Sequence, residues 1–218
     1  MSSQAKTLPW TAVIGLLLLV LTLALVFVVV ELKSRVARTR QLVVYGQVND
    51  FTLTNQNGTV VSLADLRGHP WVADIIFTRC AGPCPRMTRQ MKELQDALPP
   101  GNPTRLVTLT TDPDFDTPAV LCRYGERFGA DTNRWMFLTG TRREIGNLAT
   151  ASLKLSAVER KPEQQTSPAD LFVHSTVFVV VDKRGRLRGI FQTGGEQVDW
   201  QGEKQKILAS IRHLEREE

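Results

Sequence analysis

Cys80 and Cys84 are separated by three residues in "IIFTRCAGPCPRMTRQMKEL" (75–94), between an apolar run and an amphipathic segment. Such a pair admits several chemistries: a structural disulfide, a dithiol redox centre, a peroxidase nucleophile, or half of a metal site. A bond across so few residues removes little chain entropy and stabilises little, which disfavours the purely structural disulfide. "WVADIIF" (71–77) reads as a buried central strand. Beyond Cys84, Pro85 suits a first helical turn, and Met87, Met91, Leu94 and Leu98 recur at helical spacing up to Pro99-Pro100. The pair therefore lies on a strand-to-helix turn, where unsatisfied N–H groups and the helix dipole favour the thiolate, the form that attacks disulfides and binds metals.

Two thiolates leave a trigonal or tetrahedral site short of a ligand, so a third donor is sought. Of the three histidines, His69 in "RGHP" and His213 near the end of the last helix read as exposed residues. His174 directly precedes the apolar run "STVFVVV" and, given the cysteine pair, is the candidate third ligand. Two thiolates and an imidazole form a soft to intermediate donor set, and the residues alone do not choose the metal it would take. Asp112 and Asp116 in "DPDFDTP" read first as turn formers and helix caps, with a supporting place around a metal as the alternative. Cys122, among Val120, Leu121 and Tyr124, reads as a buried small hydrophobe, and Met87 and Met91 as core.

The elements that must position these groups follow from periodicity and turn signals. "FTL" and "TVV" about Asn57-Gly58 suggest a hairpin, "RLVTLT" (105–110) and "MFLTG" two further strands, and Pro118 and "TRREIGNLATASL" two helix starts. The polar stretch 156–170 reads as an inserted loop, "STVFVVV" and "LRGIF" as a hairpin around Gly185, and "DWQGEKQKILASIRHL" as a closing helix. Strand-helix alternation followed by an antiparallel hairpin predicts an α/β, thioredoxin-like three-layer sandwich with a mixed β-sheet, preceded by one N-terminal transmembrane helix.

That helix is assigned to residues 11–30, after a short tail (1–10) and before a basic juxtamembrane linker (31–48) and the domain (49–218). Its twenty residues, mostly Leu and Val and none charged, span about 30 Å, longer than a signal-peptide core and without a small-residue cleavage site, which favours an uncleaved anchor. Residues 1–40 hold five of the 27 basic and one of the 22 acidic residues, leaving the remainder near +1, so nothing marks the domain as a nucleic-acid binder. Lys33, Arg35, Arg38 and Arg40 follow the span while Lys6 alone precedes it, and this bias argues for a domain facing the cytoplasm.

"FTRCAGPCPRMT", "TTDPDFDTPAVLCRYGERFG" and "HSTVFVVVD", in this order, closely resemble the SCO/SenC family of membrane-anchored copper proteins, over about residues 50–191. The resemblance implies a thioredoxin-like domain on a single anchor that binds copper, as Cu(I) or Cu(II), through Cys80, Cys84 and His174. It further implies service to the dinuclear copper centre of a cytochrome c oxidase subunit, with another copper chaperone or a thiol reductant as further partner. It also implies the inner (cytoplasmic) membrane with the domain facing the periplasm, against the Lys/Arg bias. Large domains are translocated despite flanking charge.

Three activities compete on these residues. A metallochaperone needs Cys80, Cys84 and His174. A thiol–disulfide oxidoreductase that reduces the cysteines of an oxidase subunit before metallation needs Cys80 and Cys84 as its redox pair, but not the histidine. A peroxidase, suggested by Thr78 and Cys80 after a strand, needs one activated cysteine and a donor-rich peroxide pocket, and gives His174 no role.

Overall fold

The computed structural model describes residues 10–38, 42–159 and 172–217. Two compact units divide at residues 41 and 42. In the first, α1 (Trp10–Arg38) is one helix of 29 residues, of which Trp10–Leu32 is long and apolar enough to cross a membrane. Its Leu and Val side chains are exposed along this length, as on a helix whose solvent is lipid. The stretch read as linker, 31–48, is divided: α1 continues through Arg38, and Leu42 already packs on the second unit.

The second unit is built on an eight-stranded mixed sheet in the order β1-β10-β9-β4-β5-β6-β2-β3. Its strands are β1 (Gly46–Gln47), β2 (Thr52–Asn55), β3 (Val60–Ser62), β4 (Trp71–Ile76), β5 (Arg105–Thr110), β6 (Trp135–Thr139), β9 (Val177–Val181) and β10 (Arg186–Gln192). β4, β5 and β6 run parallel, and β9 runs antiparallel to β4 in the register Ala73↔Val179. The helices α3 (Cys84–Ala97), α4 (Pro118–Arg127) and α6 (Trp200–Arg216) cover one face, joined to it by Val72, Ile76, Met87, Met91, Leu121 and Ile207. The other face receives α2 (Leu63–Leu66), α5 (Arg142–Gly146) and the π-helical turn Asn147–Ser152 that continues α5. This is the expected three-layer arrangement, and β4 is buried on both faces because it lies inside both layers.

Burial of α3 follows its spacing: Met87, Met91 and Leu94 are all fully buried, each contributing about 1.5–3 kcal/mol. Gly125 lets α4 approach β6, since a Cβ there would meet the Phe137 ring at 2.9 Å. At the start of the stretch read as a loop, β7 (Ala157–Glu159) pairs with β8 (Phe172–His174), which follows that stretch, as a separate two-stranded sheet, a pairing between segments too short to announce themselves in sequence. Residues 160–170 of that stretch, and residue 171 after it, lie outside the described residues.

At the base of the sheet, β10 makes a bulge between Leu187 and Gly189. The extra residue is Arg188, turned inward and 4 % exposed. It donates to Asp182 at 2.7 Å, to both Glu217 oxygens at 2.6 and 2.8 Å, and twice to the Leu42 carbonyl at 3.0 and 3.2 Å.

Candidate functional site

β4 ends at Ile76, and the chain turns through Phe77–Pro83 into α3. Cys80 stands in that turn at 8 % exposure and Cys84 in the first turn of α3 at 0 %, both as thiols in hydrogen-bond contact with one another. The Gly82 N–H donates to Cys80 Sγ at 3.3 Å. Cys84 departs from the thiolate expected at a helix N-terminus: burial pushes its thiol well above the ordinary range, reinforced by the Cys80 contact and only partly opposed by the Phe77 amide. Desolvation outweighs the helix dipole here, leaving Cys80 as the rim thiol and Cys84 as the buried one.

The segment Thr111–Thr117 packs against this turn through two carboxylates. Asp116, fully buried, accepts from the Thr78 N–H at 3.1 Å and from the hydroxyls of Thr78 and Thr110. Burial raises Asp116 above the usual carboxylate range against the pull of those donors. Asp112 pairs with Arg79, whose guanidinium lies 4.1 Å over the Phe115 ring. The capping role read for these aspartates is not what they perform. Thr117 is the N-cap of α4, and Asp112 and Asp116 instead tie the segment ahead of it to residues 78 and 79. Thr78, which with Cys80 suggested the peroxidase reading, has its hydroxyl engaged by Asp116.

Further residues belong to the site and were not singled out from sequence. Asp74 is fully buried, and strand alternation puts it on the face of Val72 and Ile76, beneath α3. Its charge contributes to the upward shifts of Cys84 and of the buried Tyr124 phenol, both set chiefly by desolvation. Tyr124 in turn shares a 2.8 Å hydrogen bond with Thr88 of α3. The signal for Asp74 was available, a lone acid inside "WVADIIF". Nothing in the local sequence announces the stacking of Arg79 on Phe115.

His174 ends β8, and its side chain lies outside the described residues. The backbone beyond it is defined: Thr176 accepts from the Thr193 amide and hydroxyl at 2.8 Å, and Thr193 accepts from Gln90 of α3 at 3.0 Å. Because β9 is antiparallel to β4, β9 begins at the end of the sheet where β4 ends. Among the described residues no group of three His, Cys, Asp or Glu side chains is arranged to hold a metal. His69 precedes β4 at the opposite end and is partly buried, its imidazole lowered by desolvation and by Arg105. His213 is also partly buried, 3.0 Å from Glu217. Cys122 departs from its core reading: α4 buries Leu121, Tyr124 and Gly125, and Cys122 stands off that stripe, 3.6 Å from Glu126.

Residues 44–209 match the family model described as SCO1/SenC. The chain belongs to the SCO1/SenC family. A SCO1 protein homolog of Bacillus subtilis is 36 % identical over 143 residues, 65 % of this chain and 71 % of the relative. Among solved structures, BsSco, described as a member of the Sco family of cytochrome c oxidase assembly proteins and as carrying a disulfide switch, is 26 % identical. It superposes with a TM-score of 0.64 over 82 % of this chain and 100 % of that one. ScoI of Bradyrhizobium japonicum with copper bound, 21 % identical, shares the fold at a TM-score of 0.59 over 78 % of this chain and 99 % of that one. The thioredoxin-like sandwich is therefore a Sco domain.

Proposed function

We propose that this Sco protein is a membrane-anchored copper carrier serving the dinuclear copper centre of cytochrome c oxidase, and that Cys80, Cys84 and His174 hold the ion. The observation that carries this reading is the contact between two thiols at the end of β4, at the end of the sheet where β9 begins two residues after Ser175. Soft sulfur donors favour copper, and a low-coordinate set allows the ion to leave by ligand exchange. Binding must displace the Cys84 proton from a site where burial holds it, so affinity falls with falling pH. The donated Gly82 N–H and the ties through Asp116 and Asp112 keep the turn in place while the ion is exchanged. α1 supplies the anchor, in the inner membrane, with the domain in the periplasm.

A second reading has its own support: thiols already in contact can close to a disulfide. Oxidoreductase turnover would pass two electrons and two protons from Cys80 and Cys84 to an acceptor disulfide, leaving a Cys80–Cys84 disulfide and two acceptor thiols.

Copper stoichiometry and competitive affinity of the fully reduced chain, compared with Cys80→Ser, Cys84→Ser and His174→Ala, separate the two. One copper per chain, weakened at least 100-fold in every variant, supports the carrier. Retention by His174→Ala, or no copper in the parent alongside rapid disulfide reduction, overturns it in favour of the oxidoreductase.

A further inference from the structure

The β1–β10 edge of the sheet carries an apolar surface with no part in copper chemistry. Val43, Val44 and Tyr45 are 62 %, 51 % and 52 % exposed, and Ile190 on β10 is 40 % exposed. These side chains are not loose: Leu42 packs on the core with its carbonyl gripped by Arg188, and the Tyr45 amide donates to Leu187 at 2.8 Å. The segment is thus fixed along the sheet edge with its apolar side chains presented outward.

We propose that this edge rests on the surface of the bilayer that holds α1, with Val43, Val44, Tyr45 and Ile190 entering the headgroup layer. The proposal rests on the reading of α1 as a membrane anchor. Chain length confines the patch near lipid: α1 runs six residues past Leu32, about 9 Å, and four residue steps from Arg38 to Leu42 reach at most about 14 Å. Over so short a tether the effective concentration of the edge at the surface is on the order of millimolar or above, so a weak apolar contact suffices. Tyrosine is favoured at the headgroup level, and Arg35, Arg38 and Arg40 beside the patch in sequence suit anionic lipid. β4 is the third strand in from β1, about 14 Å away at ordinary strand spacing. An edge lying on lipid would hold the cysteine turn at roughly that height above the membrane surface.

The test uses the full chain in vesicles of zwitterionic and anionic lipid, with benzoylphenylalanine replacing Tyr45 or, as control, Val60 on β3 at the opposite sheet edge, itself 62 % exposed. Illumination and mass spectrometry should give at least ten-fold more lipid adducts at 45 than at 60, reduced several-fold by Val43→Glu with Val44→Glu. Equal adducts, none, or adducts to a second copy of the chain overturn the docking. Release of the chain from vesicles by alkaline wash overturns the anchor instead, and the docking with it.

Discussion

At the base of the sheet Asp182 is held by Arg186 and Arg188, whereas at the cysteine end Asp116 is held by two threonine hydroxyls and one amide, with Asp112 beside it. Both carboxyls are buried, yet their protons respond oppositely. For Asp182 burial works upward, but the Arg186 amide and the two guanidiniums together hold the group below its usual 3.8. For Asp116 burial wins and the group lies above 3.8. The stability contributed by Asp182 is therefore present above pH 3.8 and lost as pH falls through its lower folded value. That of Asp116 is present below pH 3.8 and lost as pH rises through its higher folded value. The base is built to stay charged, while the cysteine end is poised closer to neutrality, beside two buried thiols.

Substitutions break this comparison by different amounts. Arg188→Leu takes the buried guanidinium from between Asp182 and Glu217, leaving Arg186 as their remaining shared cation, and should cost about 3 kcal/mol in urea unfolding, with copper stoichiometry unchanged. Asp116→Asn should cost about 2 kcal/mol by the same measurement, and the decline of stability above pH 3.8 should flatten in a pH series. An unchanged pH profile in that variant would assign the slope to another group. Burial chiefly sets the upward shift of Cys84 and Asp74 adds the smallest contribution, so Asp74→Asn should move the pH profile of Cys84 alkylation, followed by mass spectrometry, only slightly to lower pH. Phe115→Ala removes the exposed face under Arg79 and should cost only about 0.5–1 kcal/mol.

Much of the scaffold was legible because its signals are local. "RLVTLT" is β5 to the residue, Pro118 opens α4, and the Met87/Met91 spacing fixes the buried face of α3. The cysteine turn was legible for the same reason, since a strand and a helix bracket it. What escaped depends on partners distant in the chain. β1 is two residues long and exists only against β10; β7 finds β8 across a long insertion. The protonation of Cys84 turns on how deeply α3 and α4 bury it, which no helix-terminus rule contains. Asp116 has a capping residue's position in sequence, and only the approach of Thr78 across 38 residues gives it other work.

The grip of Arg188 on position 42 is made on a main-chain oxygen, and every amino acid supplies one. The identity of residue 42 is therefore free to drift as far as that grip is concerned, while the guanidinium is not: a lysine has one nitrogen where five bonds are now divided among three. A library randomising both positions should return several apolar residues at 42, where the side chain also packs on the core, and almost solely arginine at 188, an asymmetry of tolerance written by which side of the bond is backbone.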